Sequence, residues 1–222
     1  MIPIYINNRD RLTTTRRLAE QCSRLTLAEV VIVDNASTYP PLLDWYYRCP
    51  FRVEMLPTNV GPRGVWTSPR LATHVERGIT HYVVTDSDLD IEDVPRDVLT
   101  LLESGFDRYP WAIKSGLSLE INDLPCGYPY KSQVRDRELP YWSDQVDAEF
   151  FRAHIDTTFA MYRTGSGWGG YGPALRTNRP YTARHVPWYQ VGEDTDEERY
   201  YLQHLSTAGI FWSALAQEKY RE

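Results

Sequence analysis

The chain has 222 residues, 42% of them hydrophobic, with three cysteines and a formal net charge of −6. This length suits one α/β domain with a full core, and the acidic balance argues against general nucleic-acid binding. Cys22, Cys49 and Cys126 show no metal-ligand spacing and suit a reducing compartment.

The first half alternates strand and helix signals. Pro3 to Ile6 is predicted as a strand, and Asp10 to Leu25 as an amphipathic helix with Leu12, Leu18 and Leu25 on its apolar side. Glu29 to Val33 forms the next strand, ending at Asp34-Asn35. A short helix over Pro41 to Arg48 and a strand over Phe51 to Leu56 follow. Ser68 to Arg77 reads as a helix, and Tyr82 to Thr85 as a buried strand running into Asp86, Asp88 and Asp90. Val94 to Glu103 is expected to be helical and Trp111 to Ile121 extended. This rhythm implies a mostly parallel central sheet flanked by helices, with right-handed crossovers. Asn122 to Phe150 reads as irregular, Ile155 to Arg163 and Arg184 to Tyr189 as strands, and Glu197 to Leu205 as a helix. The chain starts at Met1 with an immediate strand, so no signal peptide is expected, and no apolar run has membrane length. The expected location is the cytoplasm, including the inner face of a membrane.

His81 to Asp90, HYVVTDSDLD, carries the most chemistry. In open α/β sheets ligands bind outside the carboxyl ends of the strands. Two aspartates one residue apart at such an end offer hard oxygen ligands to a divalent cation, whose remaining positions can take a diphosphate. An EF-hand loop would place Gly and Glu where this chain has Ile91 and Asp97, and it would follow a helix. A solvated acidic turn explains Asp90 to Asp93 but not Asp86 and Asp88.

VVIVDNAST, then Asn59-Val60-Gly61, then VVTDSDLD occur in the order found in nucleotide-sugar glycosyltransferases of the GT-A fold. The chain resembles family 2 and its small stand-alone relatives. IDTTFAMYR and RHVPWY are similar to a compact subgroup that includes a transferase domain of a large algal virus. The resemblance implies a single Rossmann-like GT-A domain, with a nucleotide-sugar half over residues 1–118 and an acceptor half over 119–222. It implies hexosyl or deoxyhexosyl transfer from a nucleoside-diphosphate sugar, most simply a UDP-sugar, to a glycan or saccharide-lipid. Its rivals are a sugar nucleotidyltransferase and a saccharide-binding module without catalysis. The first wants a Gly-rich loop after the first strand, and Asn7 to Arg11 contains no glycine.

On this likeness Asp34 accepts the ring N–H of the base, although an Asx-turn with Asn35 or Ser37 is its plainer role. Asn59 and Gly61 bring backbone to the base or ribose, or form an ordinary turn. Arg9, Arg11 and Arg63 are candidates for the nucleotide and diphosphate. Asp86 stands near the ribose and the cation, Asp88 is a direct ligand, and His185 is the candidate third ligand or a packed histidine. A carboxylate and imidazole set suits Mn²⁺ better than Mg²⁺. For the general base two aspartates compete. Asp194, in Gly192-Glu193-Asp194-Thr195, resembles the family 2 motif but has a capping role available, with Thr195 and Glu198 as a capping box. Asp156 is expected to open a strand beneath the acceptor. Gly165 to Gly172 lacks a P-loop signature and reads as a lid carrying Trp168 and Tyr171. Tyr128, Tyr130, Lys131, Tyr141 and Trp142 are candidates for the acceptor side.

Overall fold

The structure is a computed structural model that describes residues 1–204. An eight-stranded sheet runs through it, built from β1 (Ile2–Asn8), β2 (Ala28–Asp34), β3 (Arg52–Met55), β4 (His81–Asp86), β6 (Lys114–Gly116), β8 (Phe150–Arg152), β9 (Ala160–Arg163) and β10 (Ala174–Thr177). Two-residue strands β5 (Leu89–Asp90) and β7 (Ser118–Leu119) flank β11 (Thr182–His185) in a smaller sheet. The large sheet has the order β3-β2-β1-β4-β9-β6-β10-β8. β9 pairs antiparallel with both β4 and β6, and β8 antiparallel with β10; the other pairs are parallel.

The alternation of side chains along each strand divides the core between the two faces. Ile4, Ile6, Ile32 and Val83 pack with Leu18, Leu99, Leu102 and Phe106 on one side. Tyr5, Val31, Val33, Tyr82 and Val84 pack with Val65 and Tyr162 on the other. The first group lies against α1 (Thr13–Cys22) and α4 (Val98–Arg108), whose apolar stripes supply those leucines. The remaining helices are α2 (Pro40–Tyr46), α3 (Pro69–Ala72), α5 (Lys131–Glu138) and α6 (Asp196–Gln203).

Several elements depart from the sequence-based expectation. The first helix starts at Thr13, because Asp10 takes a left-handed φ of 53° and accepts the Thr38 and Tyr39 N–H groups with its carboxylate. Ser68 to Arg77 is helical only over Pro69–Ala72, preceded by a 3-10 segment, Gly61–Thr67. The fourth helix begins at Val98, after Pro95 rather than before it. Trp111 to Ile121 breaks at Leu117, whose N–H bonds Phe159 O, so its halves serve different sheets. The stretch expected to be irregular contains α5. Ile155 to Arg163 is extended only from Ala160, so Asp156 lies in a turn ahead of the strand instead of opening it. Beyond His185 the chain turns into a 3-10 segment, Val186–Tyr189. Leu205, placed in the last expected helix, lies outside the described residues.

Candidate functional site

The carboxyl ends of β1, β2 and β4 open into a cleft of about 590 Å³. Parallel registry sets their last residues side by side, Asn8 with Asp34 and Asn7 with Asp86. The opposite wall comes from the turn Asp156-Thr157-Thr158, from Arg176 on β10 and from His185 on β11. This is the crevice that a parallel sheet creates beyond its strand ends.

Asp88 and His185 meet there. The antiparallel pairing of β5 with β11 puts His185 opposite Leu89, and Val186 N–H donates to Asp88 O at 2.8 Å. His185 Nε2 consequently stands 3.4 Å from Asp88 Oδ2. Burial alone would raise the pKa of Asp88, but His185 and Arg11 outweigh it and bring the carboxyl down to about 2. Asp86 moves the other way: burial, then Asp88 and Asp156, push it well above the usual carboxylate range, against one hydrogen bond from Thr157 Oγ1 at 2.8 Å. Three carboxylates converge, and the cationic groups offset Asp88 and Asp156 rather than Asp86, whose ionised form is costly to bury unless a cation joins it. Asp88 Oδ1 and His185 Nδ1 are buried and have no hydrogen-bond partner. Among the described residues no three acidic, His or Cys side chains already stand in a closed metal-ligand arrangement. An oxygen and imidazole pair with open remaining positions fits a divalent cation that completes its shell with ligand oxygens and water.

The base end differs from the expectation at Asp34. That carboxylate is fully buried, does not line the cleft, and accepts the Ser37 N–H and the Tyr46 hydroxyl, each at 2.8 Å. The turn-forming role is therefore the observed one. The next residue, Asn35, reaches the cleft and clamps the Asn59–Gly61 turn through Val60 N–H at 2.8 Å and Gly61 O at 2.6 Å. Gly61 takes a φ of 75°, which glycine adopts without strain. Asp34 also has a remote effect. Because Tyr46 donates its only hydroxyl hydrogen to Asp34, its oxygen must accept, and Asn8 Nδ2 donates to it at 2.9 Å. That network fixes the Asn8 amide and leaves Oδ1, buried and unpartnered, as an acceptor in a residue that lines the cleft.

The arginines are engaged. Arg11 is held by Glu198 of α6 at 2.5 and 3.3 Å and stacks on Tyr201 at 3.8 Å. Arg9 donates to His204 O at 3.3 Å, and Arg63 lies 4.2 Å over the Trp168 ring. Thr195 caps α6 through the Glu198 N–H at 3.1 Å, and Glu197 accepts the Thr13 N–H at the start of α1. Asp194 sits in the turn before α6 and is not part of the cleft lining. Asp156 is exposed to the cleft. Its surroundings raise its pKa, but the Thr158 hydroxyl and N–H at 2.7 and 3.0 Å, with Arg176 and His185, hold it below the ordinary value.

Trp168 and Tyr171 of the glycine-rich segment line the cleft as expected. Of the aromatic acceptor candidates only Tyr141 does, stacked on Arg176 at 4.1 Å. Trp142 packs on Phe151, Tyr128 lies against the core and edge-on to Tyr130, and Lys131 donates to Leu124 O. Asn8, Glu138 and Arg176 had no motif to announce them, Asn35 was marked only as the neighbour of Asp34, and Glu198 only as part of a capping box. Only their place at strand ends and on late elements brings them here.

Three solved structures align with this chain to different extents. Staphylococcus aureus TarS 1–349 in complex with UDP-GlcNAc aligns with a TM-score of 0.51 at 12% identity, over 94% of this chain and 61% of that one. Glucosyl-3-phosphoglycerate synthase from Mycobacterium tuberculosis, with phosphoglyceric acid, aligns at 0.46 and 13% identity over 77% of this chain and 62% of that one. The same enzyme with Mn²⁺, UDP and glucosyl-3-phosphoglycerate aligns at 0.45 and 13% identity over 74% and 57%. The chain thus spans roughly three fifths of these structures' lengths. No protein-family model and no curated protein sequence matches it. With the sheet order above, the likeness to TarS gives this chain the GT-A fold.

Proposed function

We propose that this chain is a divalent-cation-dependent glycosyltransferase that uses a UDP-sugar and transfers the sugar to a hydroxyl of a saccharide or saccharide-lipid. The observation that carries this reading is the meeting of Asp88 and His185 at the end of β4, beside the raised carboxyl of Asp86. Asp88 and His185 would hold Mn²⁺, with Asp86 next to them. The bound cation would neutralise the diphosphate as it leaves. An imidazole nitrogen beside carboxylate favours Mn²⁺ over Mg²⁺.

The chain's own residues then divide the work. Asn8 Oδ1 accepts the uracil N3–H, and Asn35 holds the turn on which the nucleoside lies. Residues 1–118 carry most of this donor side, and the acceptor wall comes from 119 onward, although α6 returns to the donor side through Glu198 and Tyr201. Asp156, ionised and open to the cleft, takes the proton of the acceptor hydroxyl as the new bond forms. Its position in the cleft favours it over Asp194, which stands outside. Glu138, Arg176 and Tyr141 shape the acceptor pocket, with hydrogen-bonding groups and an aromatic face that suit a sugar.

A panel of UDP-, GDP- and dTDP-sugars incubated with the protein and Mn²⁺ tests the proposal. Release of UDP from a UDP-sugar, abolished by chelation and restored by Mn²⁺, is the expected result. Pyrophosphate formation from a sugar phosphate and a nucleoside triphosphate would instead mark a nucleotidyltransferase.

A further inference from the structure

Lys114 is wholly buried on β6 and does not line the cleft, yet its ammonium is spent on the cleft's walls. Nζ donates to Ile155 O at 2.9 Å and to Asp156 O at 3.4 Å, on the turn before β9. It also donates to Gly170 O at 2.8 Å, in the glycine-rich segment after β9. Three carbonyls from two separate loops thus share one cation. A buried ammonium is costly without such partners, and the buried Ile155 carbonyl would lose its partner without it.

A second set of contacts ties the same segments together. The Trp168 ring has two cations within reach, Lys114 Nζ at 5.2 Å and the Arg63 guanidinium at 4.2 Å from its centroid. Gly169 and Gly170 take φ values of 71° and 62°, and a methyl group on Gly169 would stand 2.8 Å from Ile113 Cδ1. Ile113 N–H donates to Pro173 O at 3.0 Å. The segment is folded down onto residues 113 and 114, next to the turn that carries Asp156.

We infer that Lys114 is a positioning residue that locks the Asp156 turn and the Trp168 segment together, so that the walls carrying the proton acceptor and the aromatic lid keep one geometry. The inference rests on the glycosyltransferase reading for its catalytic consequence and on the geometry alone for its structural one. Lys114 reaches the reacting atoms only through these backbone carbonyls. A misplacement of about 1 Å at a catalytic group costs on the order of 10²-fold in rate. Asn8, Asn35 and Asp88 lie outside the tethered loops, which touch the donor side through Thr157 on Asp86 and Trp168 on Arg63, so donor binding should change far less than turnover.

The test uses the full chain carrying Lys114→Met or Lys114→Gln. The readouts are turnover, UDP affinity with Mn²⁺ by calorimetry, and chymotrypsin cleavage at Trp168 and Tyr171. The expected result is a kcat lowered on the order of 10²-fold in Lys114→Met and less in Lys114→Gln, which keeps an amide donor. UDP affinity should change by less than about threefold, and cleavage should speed up by about tenfold or more at those two sites alone. Wild-type protection at Trp168 and Tyr171 overturns the inference. So does a uniform loss of protection and of UDP binding, because Lys114 would then serve only the general fold. Should the wild-type protein turn over no nucleotide sugar, the functional reading fails, and the protease pattern still decides whether Lys114 holds the two loops.

Discussion

Asp88 and His185 come from opposite halves of the chain and face each other at 3.4 Å, brought together by the pairing of β5 with β11. Both keep a buried polar atom without a partner, Oδ1 on one and Nδ1 on the other. Asp88→Asn should reduce Mn²⁺-dependent turnover by about 10²-fold or more, within the range lost when electrostatic stabilisation of a developing charge is removed. The fold should persist, because the main-chain bond from Val186 N–H to Asp88 O remains. Asp86→Asn should weaken donor binding as well. Steady-state kinetics with and without added Mn²⁺, beside a circular dichroism spectrum of each variant, check both.

Asn8→Ala should weaken UDP binding by about 0.5–1.5 kcal/mol, the net worth of one neutral hydrogen bond. It should also erase any preference for UDP over CDP, since cytosine presents an acceptor where uracil presents N3–H. Asp34→Ala should act differently. It leaves the Tyr46 hydroxyl and the Ser37 N–H without their acceptor, so it should cost about 1–3 kcal/mol of stability. Calorimetry with both nucleotides and urea denaturation distinguish the two residues.

Arg11 and Glu198 form an ion pair with only 8% and 13% of their side chains exposed. Glu198→Gln leaves a buried guanidinium without its counter-charge, so the expected stability loss is about 3–5 kcal/mol. The uncompensated positive charge faces the cleft, and UDP affinity in the surviving folded protein should rise severalfold. Unchanged or weaker UDP binding by a folded variant would show that Arg11 does not serve the diphosphate.

Asp156→Asn should lower kcat by about 10²-fold or more with little change in UDP affinity, as expected for a positioned acid–base group. Asp194→Asn should leave kcat within a few-fold of wild type. A folded Asp194→Asn protein without turnover, beside a nearly normal Asp156→Asn protein, would reverse the assignment.

Burial lowers the pKa of Lys114 from 10.5 to about 8, with Asp156 pulling upward. Tyr162 stands on β9 at 5.5 Å from Nζ and, itself shifted upward by burial, stays neutral through this range. The folded state therefore holds the lysine proton less tightly than the unfolded chain. The contribution of this group to stability is fully present above 10.5 and is lost as pH falls through 8. Denaturation of wild type and Lys114→Met at pH 7 to 10.5 should show the wild type gaining relative to the variant as pH rises. A difference that stays flat across this window contradicts the shift.

The place of Asp86 and Asp88 at a strand end was legible because an apolar β-branched run that stops at alternating carboxylates marks where a buried strand leaves the sheet. The sheet was legible in its parallel half, where β1, β2 and β4 carry apolar residues on both faces. The later strands were not. β6, β8, β9 and β10 are three or four residues long, and their order depends on long-range pairing that no local period records. Asp34 ends β2 as the motif implies, but the side chain that lines the cleft at this strand end belongs to Asn35. Lys114 gave no signal at all, since a lysine in WAIKSG becomes notable only when two distant loops present their carbonyls to it.

The most direct test of the central claim is calorimetric titration of UDP into the wild-type protein, once with Mn²⁺ and once with chelator. One UDP should bind per chain with Mn²⁺, with an affinity at least about tenfold weaker in chelator and no Mn²⁺ effect in Asp88→Asn. Equal affinity in all three conditions, or no binding in any, would contradict that claim.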